Sequence, residues 1–348
     1  CELKSKPTQH SVKELQSFGI KPDVLVCRSE TNIPDDMRYK IALFCNVRPE
    51  NVIPNYTADN LYEVPLLLEK EGLANVVCEH LKLEKKKPDN SKWEEMIKRA
   101  KSSKGEVKVA IVGKYMQLQD SYLSVTESLK HGGVANEVKV NISFIDSENL
   151  NDENVKSVLG KFNGIVVPGG FGSRGVDGMI TAIKYARESN TPFLGICLGM
   201  QTAVIEFARD VLKLSDANST EFDKKTKNPV IHLMEEQKGV VKKGGTMRLG
   251  AYPCVIKENT KAFEIYGQKE ISERHRHRFE FNNDYKAELE KAGLICSGTS
   301  PDGELVEIVE YKKHPFFIAG QFHPEFKSRP DRPSPLFRDF IKAAQRKI

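Results

Sequence analysis

The sequence contains no apolar run that approaches the roughly 20 residues of a membrane-spanning helix, and its first residues do not have the pattern of a signal peptide. We therefore expect no membrane partner. Cysteines are few, seven in 348 residues, an odd number without paired or metal-type spacing. This pattern is typical of reduced thiols and predicts a cytoplasmic protein. Internal repeats and low-complexity tracts are also lacking.

Strongly one-sided charge is lacking as well. The formal net charge is +5 on a chain with 29% charged residues of both signs, which is typical of a solvated surface. Short basic runs such as residues 85–87 have no interleaved aromatic residues. The composition therefore does not favour nucleic-acid binding.

From residue 107 onward, apolar strand patterns alternate with amphipathic helix patterns. The segments VKVAIVGKY, VKVNISFID, GIVVPGG and FLGIC read as strands, each followed by a helical pattern. This alternation predicts an α/β domain with a parallel sheet covered on both faces. Residues 229–317 shorten into strand-rich hairpins, and a final helix follows.

A cysteine occurs where one of these strands meets a helix. Gly195, Cys197 and Gly199 form a G-x-C-x-G pattern between TPFLGI and MQTAVIEFARDVL. The pattern predicts a tight strand-to-helix turn like the nucleophile elbow of hydrolases, with glycines where side chains have little room. A thiol at the start of a helix is also favoured as a thiolate.

A histidine and an acid follow a later strand. In FFIAGQFHPE, His323 and Glu325 are two residues apart, and an extended chain through Pro324 would place both on one side. Glu325 could then orient the imidazole toward the thiol, as in a catalytic triad. An apolar-flanked cysteine often only fills a core, and His-Pro-Glu is often only a turn. The two motifs together favour a Cys197, His323 and Glu325 catalytic site.

A glycine-rich loop follows the strand at residues 165–167. We expect the backbone N–H groups of Gly169 and Gly170, with that of Leu198, to form an oxyanion hole. The loop also contains G-x-G-x-x-G, a dinucleotide-binding pattern. That interpretation is disfavoured because the next strand ends in Cys197 and not in an acidic residue.

Five motifs, GGFG, GICLGMQ, NSTEF, RHRHRFE and FHPEF, occur in this order. With them the chain resembles the CTP synthase family, and KSKPTQHSVKEL and RYKIALFCNV resemble the end of that family's synthetase domain. The resemblance covers essentially the whole chain. It implies a flavodoxin-like class I glutamine amidotransferase domain, preceded by a remnant of a P-loop-type α/β synthetase domain. We expect the remnant at residues 1–80, a linker and docking helix at 81–105, and the amidotransferase domain at 106–348.

The resemblance also implies substrate contacts. Glu221 in NSTEF matches the position that takes the ammonium of L-glutamine, and Arg278 matches the one that takes its carboxylate, where a guanidinium fork can bond both oxygens. Further glutamine or oxyanion contacts are implied for Gly169, Gly170, Leu198, Gly199, Met200 and Gln201. Contacts to UTP or to inhibitory CTP are implied for Lys4, Ser5, Lys6, Pro7, Thr8, Gln9 and Lys40.

For the complete enzyme the resemblance implies amination of UTP to CTP with ATP, Mg²⁺ and ammonia from glutamine. It also implies activation by GTP, feedback inhibition by CTP, and homotetramers that stack into filaments. The ATP-binding loop G-x-x-x-x-G-K-[ST] does not occur in the sequence. Since the chain begins at Cys1, we expect a piece of a longer polypeptide that has this loop upstream. Alone it should hydrolyse glutamine at best, and no metal site is expected in it.

Two alternatives stay open. The chain could be the amidotransferase of another synthetase, such as one that makes GMP, but KSKPTQHSVKEL would then have no use. It could also be a non-catalytic regulatory or filament-forming module, although Cys197, His323 and Glu325 are all present. Residues 244–250 are glycine-rich enough for a lid over the pocket or for a plain turn.

Overall fold

The computed structural model describes residues 2–114, 119–233 and 247–346. It divides into two compact units, Cys1–Ile97 and Lys98–Ile348, here called the amino-terminal and the carboxyl-terminal unit. Within the described residues, no helix is long and apolar enough to cross a bilayer. Residues 244–246 of the expected lid or turn lie outside the described part, so that alternative stays a prediction.

The amino-terminal unit is a small α/β layer with a two-stranded parallel sheet, and its last helix extends past the unit boundary. Its elements are α1 (Lys6–Ser17), β1 (Leu25–Ser29), α2 (Asp35–Cys45), β2 (Val52–Tyr56), α3 (Val64–Lys70), α4 (Leu73–His80) and α5 (Ser91–Lys101). After residue 60 the chain forms two separate helices, α3 and α4. Gly72 separates them with a left-handed φ of 84°, a conformation that glycine adopts without strain. The docking role expected for α5 stays a prediction.

The carboxyl-terminal unit alternates strands and helices as predicted. Its first half contains β3 (Glu106–Gly113), α6 (Leu123–Ala135), β4 (Lys139–Asp146), α7 (Val155–Leu159), β5 (Gly164–Val167), α8 (Val176–Glu188), β6 (Phe193–Ile196) and α9 (Leu198–Asp210). Its second half contains β7 (Asn218–Ser219), β8 (Pro229–Leu233), β9 (Arg248–Ile256), α10 (Lys261–Tyr266), β10 (Glu270–His277), β11 (Phe279–Phe281), α11 (Lys286–Ala292), β12 (Leu294–Thr299), β13 (Val306–Tyr311), β14 (Phe317–Gly320) and α12 (Pro335–Gln345).

The main sheet of this unit has a parallel half and an antiparallel half. The parallel half has the order β4-β3-β5-β6-β14, and the described sheet continues antiparallel through β13, β12, β9 and β10. Numbered along the chain, the parallel order is 2-1-3-4-5, which is the flavodoxin-like order. The prediction of a flavodoxin-like α/β fold is confirmed. A small sheet of β7, β8 and β11 lies apart from the main sheet.

Helices cover both faces of the parallel strands, as the alternation of patterns predicted. Neighbouring residues of β3 show this division, because successive side chains of a strand point to opposite faces. Ala110 and Val112 pack into one core, which includes residues of α8 and α9. Val109 and Ile111 pack into a second core, which includes residues of α6 and α12. With both faces buried, the open edge for chemistry is at the carboxyl ends of the strands.

Candidate active site

Cys197 lies on a strained turn between β6 and α9, so the predicted elbow is confirmed. Its φ of 52° and ψ of −100° are unusual for a residue with a side chain, and the thiol is buried. A Cβ on Gly199 would lie 2.0 Å from the Val167 carbonyl oxygen, and one on Gly195 would lie 2.7 Å from Ala319 Cβ. The flanking glycines are therefore required by close packing of the elbow against β5 and β14.

His323 and Glu325 form a hydrogen-bonded pair beside this elbow. His323 Nδ1 and Glu325 Oε1 are 2.8 Å apart, and both side chains are largely buried. The expected extended chain through Pro324 is wrong, because Pro324–Lys327 is a short 3₁₀ helix that follows His323. Proline has a φ near −65° and no N–H, which suits the first turn of a helix. The turn still brings the carboxylate back to the ring.

The pKa of His323 reflects both neighbours. Burial lowers it, but hydrogen bonding and charge attraction from Cys197 and Glu325 outweigh burial and raise it from 6.5 to about 10. The other ring nitrogen, Nε2, is buried and lies outside strict hydrogen-bond geometry with any group in the described part of the chain. His323 therefore holds its proton at neutral pH.

The glycine loop after β5 lies against these side chains. A Cβ on Gly169 would lie 2.8 Å from His323 Cε1 and 3.6 Å from Cys197 Cβ, and one on Gly170 would lie 3.1 Å from Leu198 Cδ2. Leu198 is the first residue of α9, so its N–H has no acceptor within the helix. The expected oxyanion-hole residues are thus adjacent, and their function as donors stays a prediction.

A cavity of about 270 Å³ opens beside the thiol. The residues that line it include Cys197, Gly170, Gln201, Glu221 and Arg278. A carboxylate and a guanidinium thus share one small cavity with a nucleophile. This is the charge pattern that an α-amino acid requires.

Met200 was expected to line this pocket, but its side chain is fully buried in the hydrophobic core of the sheet. It lies three residues after Cys197 in α9, on the helix face that packs against the core. Gly199 is close to the Val167 carbonyl because the start of α9 packs tightly against β5. The Leu198 side chain is almost fully buried. Of the residues just after the elbow, Gln201 is the one that reaches the cavity lining.

Glu221 has a partner that the sequence did not predict. Its Oε1 accepts a hydrogen bond from the Gly172 N–H at 2.8 Å. Lys114, directly after β3, is buried and donates from Nζ to the carbonyls of Phe171 and Gly172. Burial lowers the pKa of Lys114 to about 8, despite the attraction of Glu221. A lysine just after an apolar parallel strand was the available signal for this contact.

A second cavity of about 430 Å³ lies on the imidazole side of the thiol. Its lining includes Tyr122, Arg276, His323 and Glu325, together with Cys197. Arg276 borders both cavities, and its guanidinium lies 5.8 Å from the centre of the Phe171 ring. Arg276 lies in the RHRHRFE motif, but the motif did not indicate a function for it. Cys197 therefore lines two cavities, one on each side of the thiol.

The residues expected to bind UTP or CTP lie in the amino-terminal unit. Lys4 and Ser5 precede α1, residues 6–9 form its first turn, and Lys40 is on α2, which packs against α1. Ser5 is buried and accepts a hydrogen bond from Gln9 Nε2 at 3.1 Å. These side chains thus belong to one helix start and its neighbour, and their nucleotide contacts stay predictions.

A larger polar cleft in the same unit, about 500 Å³, is lined by other residues. Lys21, Arg48, Asn51, Glu79 and His80 are among them. The expected nucleotide-binding residues do not belong to its lining within the described part of the chain. The cleft therefore gives no support to those contacts, and we assign it no function.

Two other buried cysteines provide a contrast with Cys197. Burial raises the pKa of Cys296 to about 12 and raises that of Cys254 still further. Such thiols are inert near neutral pH because the thiolate is the nucleophile. Among the described residues, all cysteines are free, and no cluster of three or more His, Cys, Asp or Glu side chains could hold a metal ion.

Comparisons with known proteins agree with this fold. Residues 117–343 match the family model of glutamine amidotransferase class-I, and residues 1–83 match that of the CTP synthase N-terminus. The chain is 58% identical over 343 residues to the CTP synthase of Clostridium acetobutylicum and 58% identical over 347 residues to that of Symbiobacterium thermophilum. Each alignment covers 99% of this chain and 64% of the relative.

A solved structure also aligns, the glutaminase domain of Trypanosoma brucei CTPS with bound acivicin. Its TM-score is 0.65 at 42% identity, and the alignment covers 70% of this chain and 95% of that domain. The fold, the elbow cysteine and the matched model define the class: this chain belongs to the class-I glutamine amidotransferases. Its two matched domains, in this order, place it within that class in the CTP synthase family. The chain spans 64% of the length of the curated relatives.

Proposed function

We propose that the carboxyl-terminal unit hydrolyses L-glutamine through Cys197, His323 and Glu325. The released ammonia serves the amination of UTP to CTP by the complete enzyme. The observation that carries this proposal is the shared cavity beside the elbow. A strained cysteine with a high-pKa histidine next to it faces a space lined by the carboxylate of Glu221 and by the guanidinium groups of Arg276 and Arg278.

Glutamine fits this cavity in one orientation. Its ammonium is placed at Glu221 and its carboxylate at Arg278, so that the side-chain amide extends to the thiol. The guanidinium can bond both carboxylate oxygens, whereas a lysine could offer only a point charge. An amino acid without a side-chain amide would still pair with Glu221 and Arg278 but would present no amide carbonyl to the sulfur.

In the first half of the reaction, the Cys197 thiolate attacks the side-chain carbonyl carbon and forms a C–S bond. The carbonyl oxygen becomes an oxyanion, which the backbone N–H groups of Gly169, Gly170 and Leu198 stabilise. The imidazolium of His323 then gives its proton to the amide nitrogen. The C–N bond breaks, ammonia departs, and a glutamyl thioester remains.

In the second half of the reaction, water hydrolyses the thioester. His323, now neutral, takes a proton from water, and the hydroxyl attacks the thioester carbonyl. The C–S bond breaks, glutamate leaves, and the thiolate and imidazolium are restored. Glu325 holds the ring in place through Nδ1 in both halves. The cavity on the imidazole side provides room for the water.

The fate of the ammonia requires the rest of the enzyme. We propose that residues 1–80 belong to the synthetase domain and contribute Lys4, residues 5–9 and Lys40 to the site for UTP and for inhibitory CTP. The boundaries of 81–105 for the linker and docking helix and 106–348 for the amidotransferase domain belong to the same proposal. The family matches over residues 1–83 and 117–343 support it.

Family membership implies ATP, Mg²⁺ and GTP for the complete enzyme. The residues of this chain do not fit ATP with Mg²⁺, since the G-x-x-x-x-G-K-[ST] loop is absent from the sequence and the described part has no cluster of metal ligands. No step above involves them. We propose that the residues that hold ATP with Mg²⁺ belong to another part of the complete enzyme, next to the bound UTP that ATP phosphorylates, and that GTP activates glutamine hydrolysis. Assembly as homotetramers and filaments, and a cytoplasmic location, are part of the same proposal.

The test is glutamine hydrolysis by this chain, measured as glutamate released. Cys197→Ala should lower it by at least about a thousandfold, because the nucleophile is lost. Cys296→Ala removes a buried thiol outside the site and should leave activity close to native. In the complete enzyme, Cys197→Ala should abolish CTP synthesis from glutamine and preserve synthesis from free ammonia. Equal loss with both nitrogen sources would reject Cys197 as the nucleophile.

A glutamine-mimicking electrophile and a nucleotide screen complete the test. The electrophile should label the peptide that contains Cys197 and not those that contain Cys254 or Cys296. A folded chain that is never labelled would favour a non-catalytic module. Binding of UTP or CTP to the amino-terminal unit, weakened by Lys40→Ala, supports the synthetase assignment. Failure of both nucleotides to bind would favour the amidotransferase of another synthetase.

A further inference from the structure

Gln321 lies beside Cys197 because of strand register. Strand β14 pairs in parallel with β6, and Gly320 is opposite Ile196. The next residues of the two strands are Gln321 and Cys197. The Cys197 N–H donates to the Gly320 carbonyl at 2.7 Å, so the pairing continues to the elbow. The Gln321 side chain is fully buried at this position.

The side-chain amide of Gln321 contacts the sulfur. Its Nε2 donates to Cys197 Sγ at 3.6 Å, and its Oε1 accepts from Gln201 Nε2 at 3.2 Å. Gln201 Nε2 also donates to the Phe279 carbonyl at 3.1 Å. A chain of hydrogen bonds thus runs from the Phe279 carbonyl through the side-chain amides of Gln201 and Gln321 to the sulfur of Cys197.

The direction of this chain is set by chemistry. The Phe279 carbonyl can only accept, so the end of the Gln201 amide that faces it must be the NH₂ group. That group also faces Gln321, whose nearer atom must therefore be the oxygen. The NH₂ group of Gln321 is then left to face the sulfur. One backbone carbonyl consequently determines that Cys197 has a hydrogen-bond donor beside it.

The two protonation states of the thiol have different partners. As a thiol, Cys197 can donate to the Arg276 carbonyl, which is 3.9 Å from the sulfur. As a thiolate, it can only accept, and Gln321 Nε2 is a side-chain donor that contacts it. A hydrogen bond to a charged group is stronger than one to a neutral group. Gln321 therefore favours the thiolate.

We propose that Gln321 is a catalytic residue that stabilises the Cys197 thiolate, with Gln201 orienting its amide. The reaction it serves is the proposed function, on which this inference rests. The proposed triad residues His323 and Glu325 supply the proton and its orientation, and Gln321 supplies a neutral donor to the sulfur. In the glutaminase reaction it acts twice, when the thiolate attacks and when it leaves the thioester.

The test measures the sulfur directly. Iodoacetamide alkylates thiolates, so the rate at Cys197 is followed against pH by mass spectrometry of its peptide in the full chain. Gln321→Met has nearly the same shape and no donor, and should raise the pH midpoint of alkylation by about one unit, a roughly tenfold loss of thiolate at neutral pH. Gln321→Glu should raise the midpoint further, because a carboxylate would face the sulfur.

Kinetics separate this function from a packing function. In Gln321→Met, kcat for glutamine should fall about tenfold at pH 7 and return toward the native value as pH rises. KM should stay near native, because Gln321 is not among the described residues that line the glutamine cavity. Damage to packing would lower activity at every pH.

Two further variants serve as support and control. Gln201→Met leaves Gln321 in place but frees its amide to turn, and should raise the alkylation midpoint by a smaller amount. Asn282→Ala removes a buried amide that donates to the Pro229 carbonyl at 2.9 Å, away from the thiol. It should lower stability and leave the midpoint unchanged.

The outcomes are distinct. An unchanged midpoint in folded Gln321→Met overturns the inference, and glutamine hydrolysis that still depends on Cys197 then leaves the proposed function intact. An equal shift in Asn282→Ala also overturns it. A raised midpoint in a chain whose glutamine hydrolysis does not depend on Cys197 supports the contact with the sulfur and rejects the proposed function.

Discussion

Replacement of Glu325 by Gln tests the histidine pair most directly. The carboxylate is largely buried, and its Oε1 is 2.8 Å from His323 Nδ1. Glutamine has the same shape but no charge, so the imidazolium loses one of the two groups that raise its pKa. A charge-assisted hydrogen bond contributes about 1.5–3 kcal/mol, and one pH unit corresponds to about 1.4 kcal/mol. The pH at which activity falls on the alkaline side of the profile should therefore be lower by about one to two units.

The assay is kcat for glutamine hydrolysis between pH 6 and 10. We expect Glu325→Gln to lose at most about twofold at pH 8 and roughly 5- to 50-fold at pH 10, because the alkaline limb of the profile moves from about pH 10 to about pH 8–9. The matched control is Glu310→Gln, since Glu310 is a buried carboxylate that accepts from the N–H groups of Lys261 and Ala262 at the start of α10. It should lower stability without moving the limb. A native limb in Glu325→Gln, with activity reduced equally at all pH values, would refute the reasoning.

Stability gives an independent readout of the same pair. The pKa of His323 is about 10 in the folded chain, above the ordinary value of 6.5. Its contribution to the free energy of unfolding is therefore fully present below pH 6.5 and is lost as pH rises through about 10. Glu325→Gln should destabilise the protein more at pH 6 than at pH 10, by about 1.5–3 kcal/mol, in denaturant titrations at the two pH values.

Substitutions in the elbow and in the glutamine cavity also have defined outcomes. Gly199→Ala would place a Cβ 2.0 Å from the Val167 oxygen, and should cost about 3 kcal/mol or more and abolish activity. Gly267→Ala, where the space is open, should cost only about 1 kcal/mol, so equal losses in denaturant titrations would contradict the packing argument. Glu221→Gln and Arg278→Lys should each raise KM for glutamine roughly 10- to 100-fold with a smaller change in kcat, and a change confined to kcat would exclude them as substrate contacts.

Features set by neighbouring residues could be predicted from the sequence. The elbow at Cys197 follows from an apolar strand, two glycines and a helical pattern, all within a few residues. The carboxyl-end position of the glycine loop follows from the same alternation. These signals are local because a tight turn leaves no room for side chains whatever the rest of the fold.

Features set by strand order could not be predicted. Repeating strand and helix patterns do not say that β14 lies beside β6, yet this pairing alone places Gln321 next to Cys197. The contact of Lys114 with the glycine loop depends in the same way on β3 lying beside β5. The buried position of Met200 depends on which face of α9 meets the core. In each case the information lies in tertiary packing and not in the local pattern.

The coupling between Cys197 and His323 lets one imidazole serve both halves of the proposed reaction. Before attack, the charge on the sulfur helps to raise the pKa of His323 to about 10, so the ring holds a proton for the leaving ammonia. In the thioester the sulfur is neutral, and of the two groups only Glu325 still raises the pKa against the effect of burial. The ring that has just given up its proton is then able to take one from water. Formation of the C–S bond thus lowers the pKa of His323 and converts the ring from a general acid into a general base. If every charged neighbour of the ring kept its charge, the pKa would stay high, which would favour the first half of the reaction at the expense of the second.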